Sequence, residues 1–181
     1  TTADNNTAVG YNALLKNTTG TQNTALGANS GKAQTTADNC TWIGNDAGLV
    51  NTASNNTGVG AGTLRANTTG TRNTALGCGI YGATHGPLGS NTTGTRNTAL
   101  GVLTLRSNTT ASNNTAVGAE AMADNTTGSE NVAVGTYALD ANTTGGNNTA
   151  VGYVALSANT TGANNTALGA DTLKTNTTGN H

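Results

Sequence analysis

Large aliphatic residues are sparse along this chain, yet they return in phase. Aligned on the Asn of "NTAVG", copies of one phrase start at Asn6, Asn23, Cys40, Asn56, Asn73, Asn97, Asn114, Asn131, Asn148 and Asn165. The spacing is seventeen residues, except that the copy at Cys40 is one residue short and the copy at Asn73 carries seven more within "CGIYGATHGPLGS". With the positions of a copy numbered 1 to 17, position 4 is always Val, Leu or Ile, from Val9 to Leu168. Position 9 is usually Leu or Met, as in Leu14, Leu64, Leu105, Met122 and Leu156. These two columns are the expected core. Position 5 is Gly in every copy, which suits a positive φ or a close approach of backbones. The "NTTG" at positions 12 to 15 reads as a second corner.

Two corners and two short extended arms in seventeen residues describe one coil of a repeat that gains order by stacking on its neighbours. The expected fold is therefore all-β, a parallel β-solenoid of about ten 17-residue coils. Helix formers in "YNALLK", "AEAMAD" and "TYALDA" run for about six residues each, too short to persist as isolated helices. Coils stacked at about 4.8 Å make a rod on the order of 50 Å long in which like side chains lie over like. Asn over Asn at positions 1 and 12 predicts amide ladders along the axis. Residues 1–181 form a single repeat domain with an expanded coil at 73–96. Because "TTADN" fits the last five positions of a preceding copy, the chain is expected to be a fragment of, or processed from, a longer one.

Period-two alternation in "NTAVG" puts Thr and Val on one face and Asn, Ala and Gly on the other. A smooth Ala/Gly stripe on that second face would let a neighbouring chain approach closely, so a homo-oligomer is expected, with a trimer first and an end-to-end polymer second.

Charge narrows the function. Seven Lys and Arg against eight Asp and Glu leave a net charge of −1, without the electrostatic footprint of a nucleic-acid binder. No apolar run reaches membrane-spanning length. Gly77, Gly79 and Gly82 satisfy G-x-G-x-x-G, but no βαβ context surrounds them. Cys40 and Cys78 fall two coils apart, too far for a disulfide, and metal ligands do not cluster. Titratable residues do not converge either: Asp46, Glu120 and Asp171 share position 7 in separated coils. No enzyme activity, cofactor or metal is expected.

Two candidate features remain. Tyr81 and His85 sit in the expanded coil, the one place where sequence was added rather than repeated, and Arg72 and Arg96 flank it at position 17. Together they could hold an acidic sugar, a carboxylate or a partner protein. Separately, Asn-x-Thr sequons at position 12 (Asn17, Asn67, Asn91, Asn108, Asn125, Asn142, Asn159 and Asn176) could line one edge with sugar in a glycosylating host.

The phrases "NTAVGYNALLKNTTGTQNTALG" and "NTAVGYVALSANTTGANNTALG" resemble the head repeats of trimeric autotransporter adhesins and similar repeats of bacteriophage tail fibres. That resemblance implies a left-handed β-roll, three chains side by side, and a non-catalytic fibre or adhesin segment on a cell or virion surface, contacting surface glycans or a host receptor. A coil of seventeen residues is longer than the usual adhesin head repeat. A self-assembling, glycosylated extracellular filament is the first alternative. An ice-binding solenoid is the second, although adjacent Thr18 and Thr19 point in different directions where a flat array needs Thr-x-Thr.

Overall fold

The computed structural model describes residues 3–79 and 86–180. It is a β-solenoid. Ten strands of three residues each form one sheet: β1 (Thr7–Val9), β2 (Thr24–Leu26), β3 (Thr41–Ile43), β4 (Thr57–Val59), β5 (Thr74–Leu76), β6 (Thr98–Leu100), β7 (Thr115–Val117), β8 (Val132–Val134), β9 (Thr149–Val151) and β10 (Thr166–Leu168). Each strand pairs in parallel with the next, in sequence order, with position 4 over position 4 and Thr over Thr except at Val132, which lies between Thr115 and Thr149. The register survives both irregular coils: Thr41 lies over Thr57 across the short one, and Thr74 over Thr98 across the expanded one.

Among the described residues only positions 2 to 4 form strands; the second arm does not. Positions 6 to 11 are successive turns in which left-handed residues alternate with others: Asn12 and Leu14 have φ of 58° and 49°, and Val154 and Leu156 of 57° and 54°. The alternation divides the backbone bonds between two tasks. The Leu15 and Asn17 amides close turns onto Asn12 and Leu14 of their own coil, whereas those of Leu14 and Lys16 reach the next coil at Ser30 and Lys32. A left-handed conformation is unfavourable for a branched side chain. It is sustained here because it places the position-9 side chain inside while its N–H serves the coil above. Position 5 is the expected glycine corner: Gly152 has φ 138°, and a Cβ there would fall 2.5 Å from the backbone of Gly169.

The core differs from the expectation. The alternation holds, but the faces are reversed: position 3 points inward and position 4 outward. Ala25, Ala75, Ala99, Ala116, Ala133 and Ala150 are fully buried, while Leu26 and Leu76 are 48% and 44% exposed. A coil of seventeen residues encloses room for one large side chain per level. Leu64, Leu105, Met122, Leu139 and Leu156 take it, so the residue facing them from the strand must be small. The smooth Ala stripe is therefore interior and is not a contact surface.

One level breaks this pattern and restores it by exchange. Trp42 occupies position 3 of its coil, fully buried, and glycines replace the large residue at position 9 above and below it, Gly31 and Gly48. A Cβ on Gly31 would stand 2.7 Å from the Trp42 ring. The indole N–H donates to the Gln34 side chain at 2.9 Å, and Gln34 stands where most coils carry Asn.

Candidate functional site

Inside the rod, asparagine replaces grease. At position 12, Nδ2 of Asn91, Asn108, Asn125, Asn142 and Asn159 donates to Oδ1 of the position-12 Asn one coil earlier, at 2.7 to 3.0 Å. The same nitrogen donates to the carbonyl at position 15 of its own coil, as Asn108 does to Ala111 at 3.1 Å. At position 1 the ladder is mixed. The backbone N–H of Asn114 donates to Asn97 Oδ1 at 3.1 Å, and Asn114 Nδ2 reaches the Gly128 carbonyl at 2.9 Å. Two buried amides thus converge on each position-15 carbonyl, which satisfies polar groups that would otherwise destabilise a narrow core. Gln34 interrupts the column by turning its own Nε2 to Ala37, and Asn17 Oδ1 is left without a donor.

This geometry bears on the sequons. Asn67, Asn91, Asn108, Asn125, Asn142 and Asn159 are fully buried, and the nitrogen that would carry a glycan is the one that donates along the ladder. In the folded rod a transferase cannot reach them. Asn17 and Asn176 are only partly buried.

The described flanks of the expanded coil, Gly79 and Gly86, are both bonded to the coil below. The Gly79 and Gly86 amides donate to the Ala61 and Gly62 carbonyls of the coil below at 3.4 and 3.0 Å. Leu88 then fills position 9, fully buried. Tyr81 and His85 lie outside the described residues. Arg72 and Arg96 are exposed, adjacent in the position-17 column, with the Arg96 amide tied to the Thr71 carbonyl at 3.0 Å. They precede β5 and β6, whereas Gly79 and Gly86 follow position 5. An extended strand therefore separates the arginines from the described flanks of the loop. The two arginines at position 10 of nearby coils are ion-paired: Arg65 with Asp46 at 3.5 Å, and Arg106 with Asp124 at 2.9 Å and Glu120 at 3.6 Å. Nearby, burial raises the carboxyl pKa of Asp140, with Asp124 and Glu120 adding to the rise. Among the described residues no three His, Cys, Asp or Glu side chains cluster as metal ligands would.

The cysteines are unpaired. Cys40 takes position 1 inside the core, where its backbone N–H donates to Asn23 Oδ1 at 2.9 Å, and Cys78 is exposed. Burial pushes the Cys40 thiol up to about 11.

The feature that sequence reading placed wrongly is the outer face of the sheet. Positions 2 and 4 form two outward columns: Thr in nine coils and Val132 in the other, beside an unbroken column of Val, Leu and Ile. All fifteen charged residues, the sum of seven basic and eight acidic, fall at positions 7, 10, 11, 16 or 17. None lies on this face. No protein-family model, curated protein or solved structure matches the chain.

Proposed function

We propose that this chain is a non-catalytic structural rod, a segment of a fibre or adhesin displayed on a cell or virion surface. The observation that carries the reading is the axial bonding. Backbone and amide ladders link every coil to the next and continue across both a deletion and an insertion. Such a rod transmits load along its axis through parallel rows of hydrogen bonds, and each added coil lengthens it without altering its sides. The likeness of its repeat to adhesin and tail-fibre heads supports the same role.

The test is reach and attachment. The chain, fused to a surface anchor and tagged at its outer end, is compared with a version carrying ten further copies of the phrase. The tag is expected to move outward by about 48 Å, one strand spacing per coil, and displaying cells are expected to adhere to glycan-coated or host surfaces. A tag that does not move, or displaying cells that adhere no better than bare ones, would overturn the proposal.

A further inference from the structure

The outer sheet face is built for company of a particular kind. Its ten aliphatic side chains follow one another at strand spacing, with Leu76 and Leu100 still 44% and 41% exposed and Val9 57%. Just past the glycine corner, at position 6, Tyr11 and Tyr153 are also exposed, at 77% and 57%. The face, its Thr column included, is about 45 Å long and 15 Å wide at strand spacing, on the order of 700 Å² and close to the roughly 800 Å² per partner of a stable interface. The charged residues that keep the rest of the rod in water are excluded from it at every coil.

From this we infer that the Thr/aliphatic face of the ten-stranded sheet is covered by the same face of another copy of this chain. The inference rests on the rod reading and names its partner. Periodicity selects the occupant. Side-chain ridges repeating at about 4.8 Å interlock over ten coils only with a surface of the same pitch, and an identical rod has that pitch. The mixture of Val, Leu and Ile in the position-4 column argues in the same direction. An ice lattice demands one repeated shape, whereas two packed sheets about 10 Å apart accommodate unequal side chains by interdigitation. The charge-free Thr column adds hydroxyls that cross-strand neighbours can satisfy.

The experiment is the mass of the intact chain in solution by sedimentation equilibrium. The wild type is expected at a multiple of 17.7 kDa. Leu76→Asp with Leu100→Asp, which brings unpaired carboxylates to the middle of the face, is expected to weaken self-association by at least about a hundredfold. Thr69→Asp with Thr93→Asp, on the exposed position-14 column of the same two levels, is expected to leave the mass unchanged. Circular dichroism verifies that all three fold alike; if the Leu pair fails to fold, Thr74→Lys with Thr98→Lys on the same face replaces it. A folded wild-type monomer at its highest soluble concentration overturns the inference while leaving the rod reading intact. So does an assembly indifferent to the face substitutions, or a monomer that depresses the freezing point through this face.

Discussion

Removing one rung from the middle of the position-12 ladder gives a measurable account of what holds the rod together. Asn108 makes three bonds through its amide: Nδ2 to Asn91 Oδ1 at 2.8 Å, Nδ2 to the Ala111 carbonyl at 3.1 Å, and Oδ1 from Asn125 Nδ2 at 3.0 Å. After Asn108→Ala two of the three partners keep another bond. The Ala111 carbonyl retains Asn97 Nδ2 at 2.8 Å, and Asn125 Nδ2 retains the Gly128 carbonyl at 3.0 Å. Asn91 Oδ1 keeps none and is stranded in a core that excludes water. The stranded oxygen costs about 1–3 kcal/mol and the other lost bonds about 1 kcal/mol each, so the expected destabilisation is about 3–5 kcal/mol. Solenoids open coil by coil, which makes native-state hydrogen exchange the right assay: protection should fall most at the amides of the two flanking coils. Thr110→Ala, two residues away on the exposed corner, is the control. A loss for Asn108→Ala within about 0.5 kcal/mol of that control would refute the claim that buried amides substitute for grease.

Other expectations follow from the same coordinates. Trp42→Ala should cost about 3–5 kcal/mol by opening a cavity between Gly31 and Gly48. Adding Gly31→Leu and Gly48→Leu should recover most of the loss in thermal midpoint, because Leu at position 9 elsewhere adopts the same left-handed backbone. Gly152→Ala should shift the thermal midpoint downward by more than any position-14 substitution, since its Cβ would collide with Gly169. Cys78 should be alkylated at once in the native protein and Cys40 only after unfolding, as read by mass spectrometry. The Cys40 thiol titrates at about 11 when folded against 9.0 in its ordinary state. The unfolded chain therefore loses its proton first as pH rises, and stability should decline between pH 9 and 11. Cys40→Ser should flatten that decline in denaturant titrations at successive pH values.

Period, coil number, the glycine corner and the amide ladders were legible because each depends on residue identity recurring at fixed spacing. The orientation of the strand was not. Hydrophobicity nominates Val151 over Ala150 for the interior, and in an ordinary sheet that choice is right. Here the width of the cavity decides. Leu156 fills the level from the far side, so only a methyl fits opposite it, and the larger aliphatic is turned outward. The left-handed backbone at Leu14, Leu64 and Leu156 was equally hidden, because leucine seldom adopts it and nothing in its side chain announces it. At the candidate site, sequence adjacency grouped Arg72 and Arg96 with the expanded coil. One strand, β5, lies between Arg72 and Gly79, and Tyr81 and His85 lie outside the described residues. The outer face is hidden in the sequence for the same reason as the core: a column of Val, Leu and Ile reads as interior wherever hydrophobicity alone decides.

The position-12 ladder has a direction. From Asn67 to Asn159 every Nδ2 donates toward the N-terminal neighbour and every Oδ1 that is engaged accepts from the C-terminal one. The amide dipoles therefore add head to tail, and each polarises the next in a medium that screens poorly. Along this one column the uncharged amides are polarised, positive toward the beginning of the rod, while the position-13 Thr hydroxyls beside it donate the other way, to the carbonyl one coil later. A feature that fills the core thus also gives its interior a sense of direction, so the two ends of the column are unlike: one closes on donors and the other on acceptors.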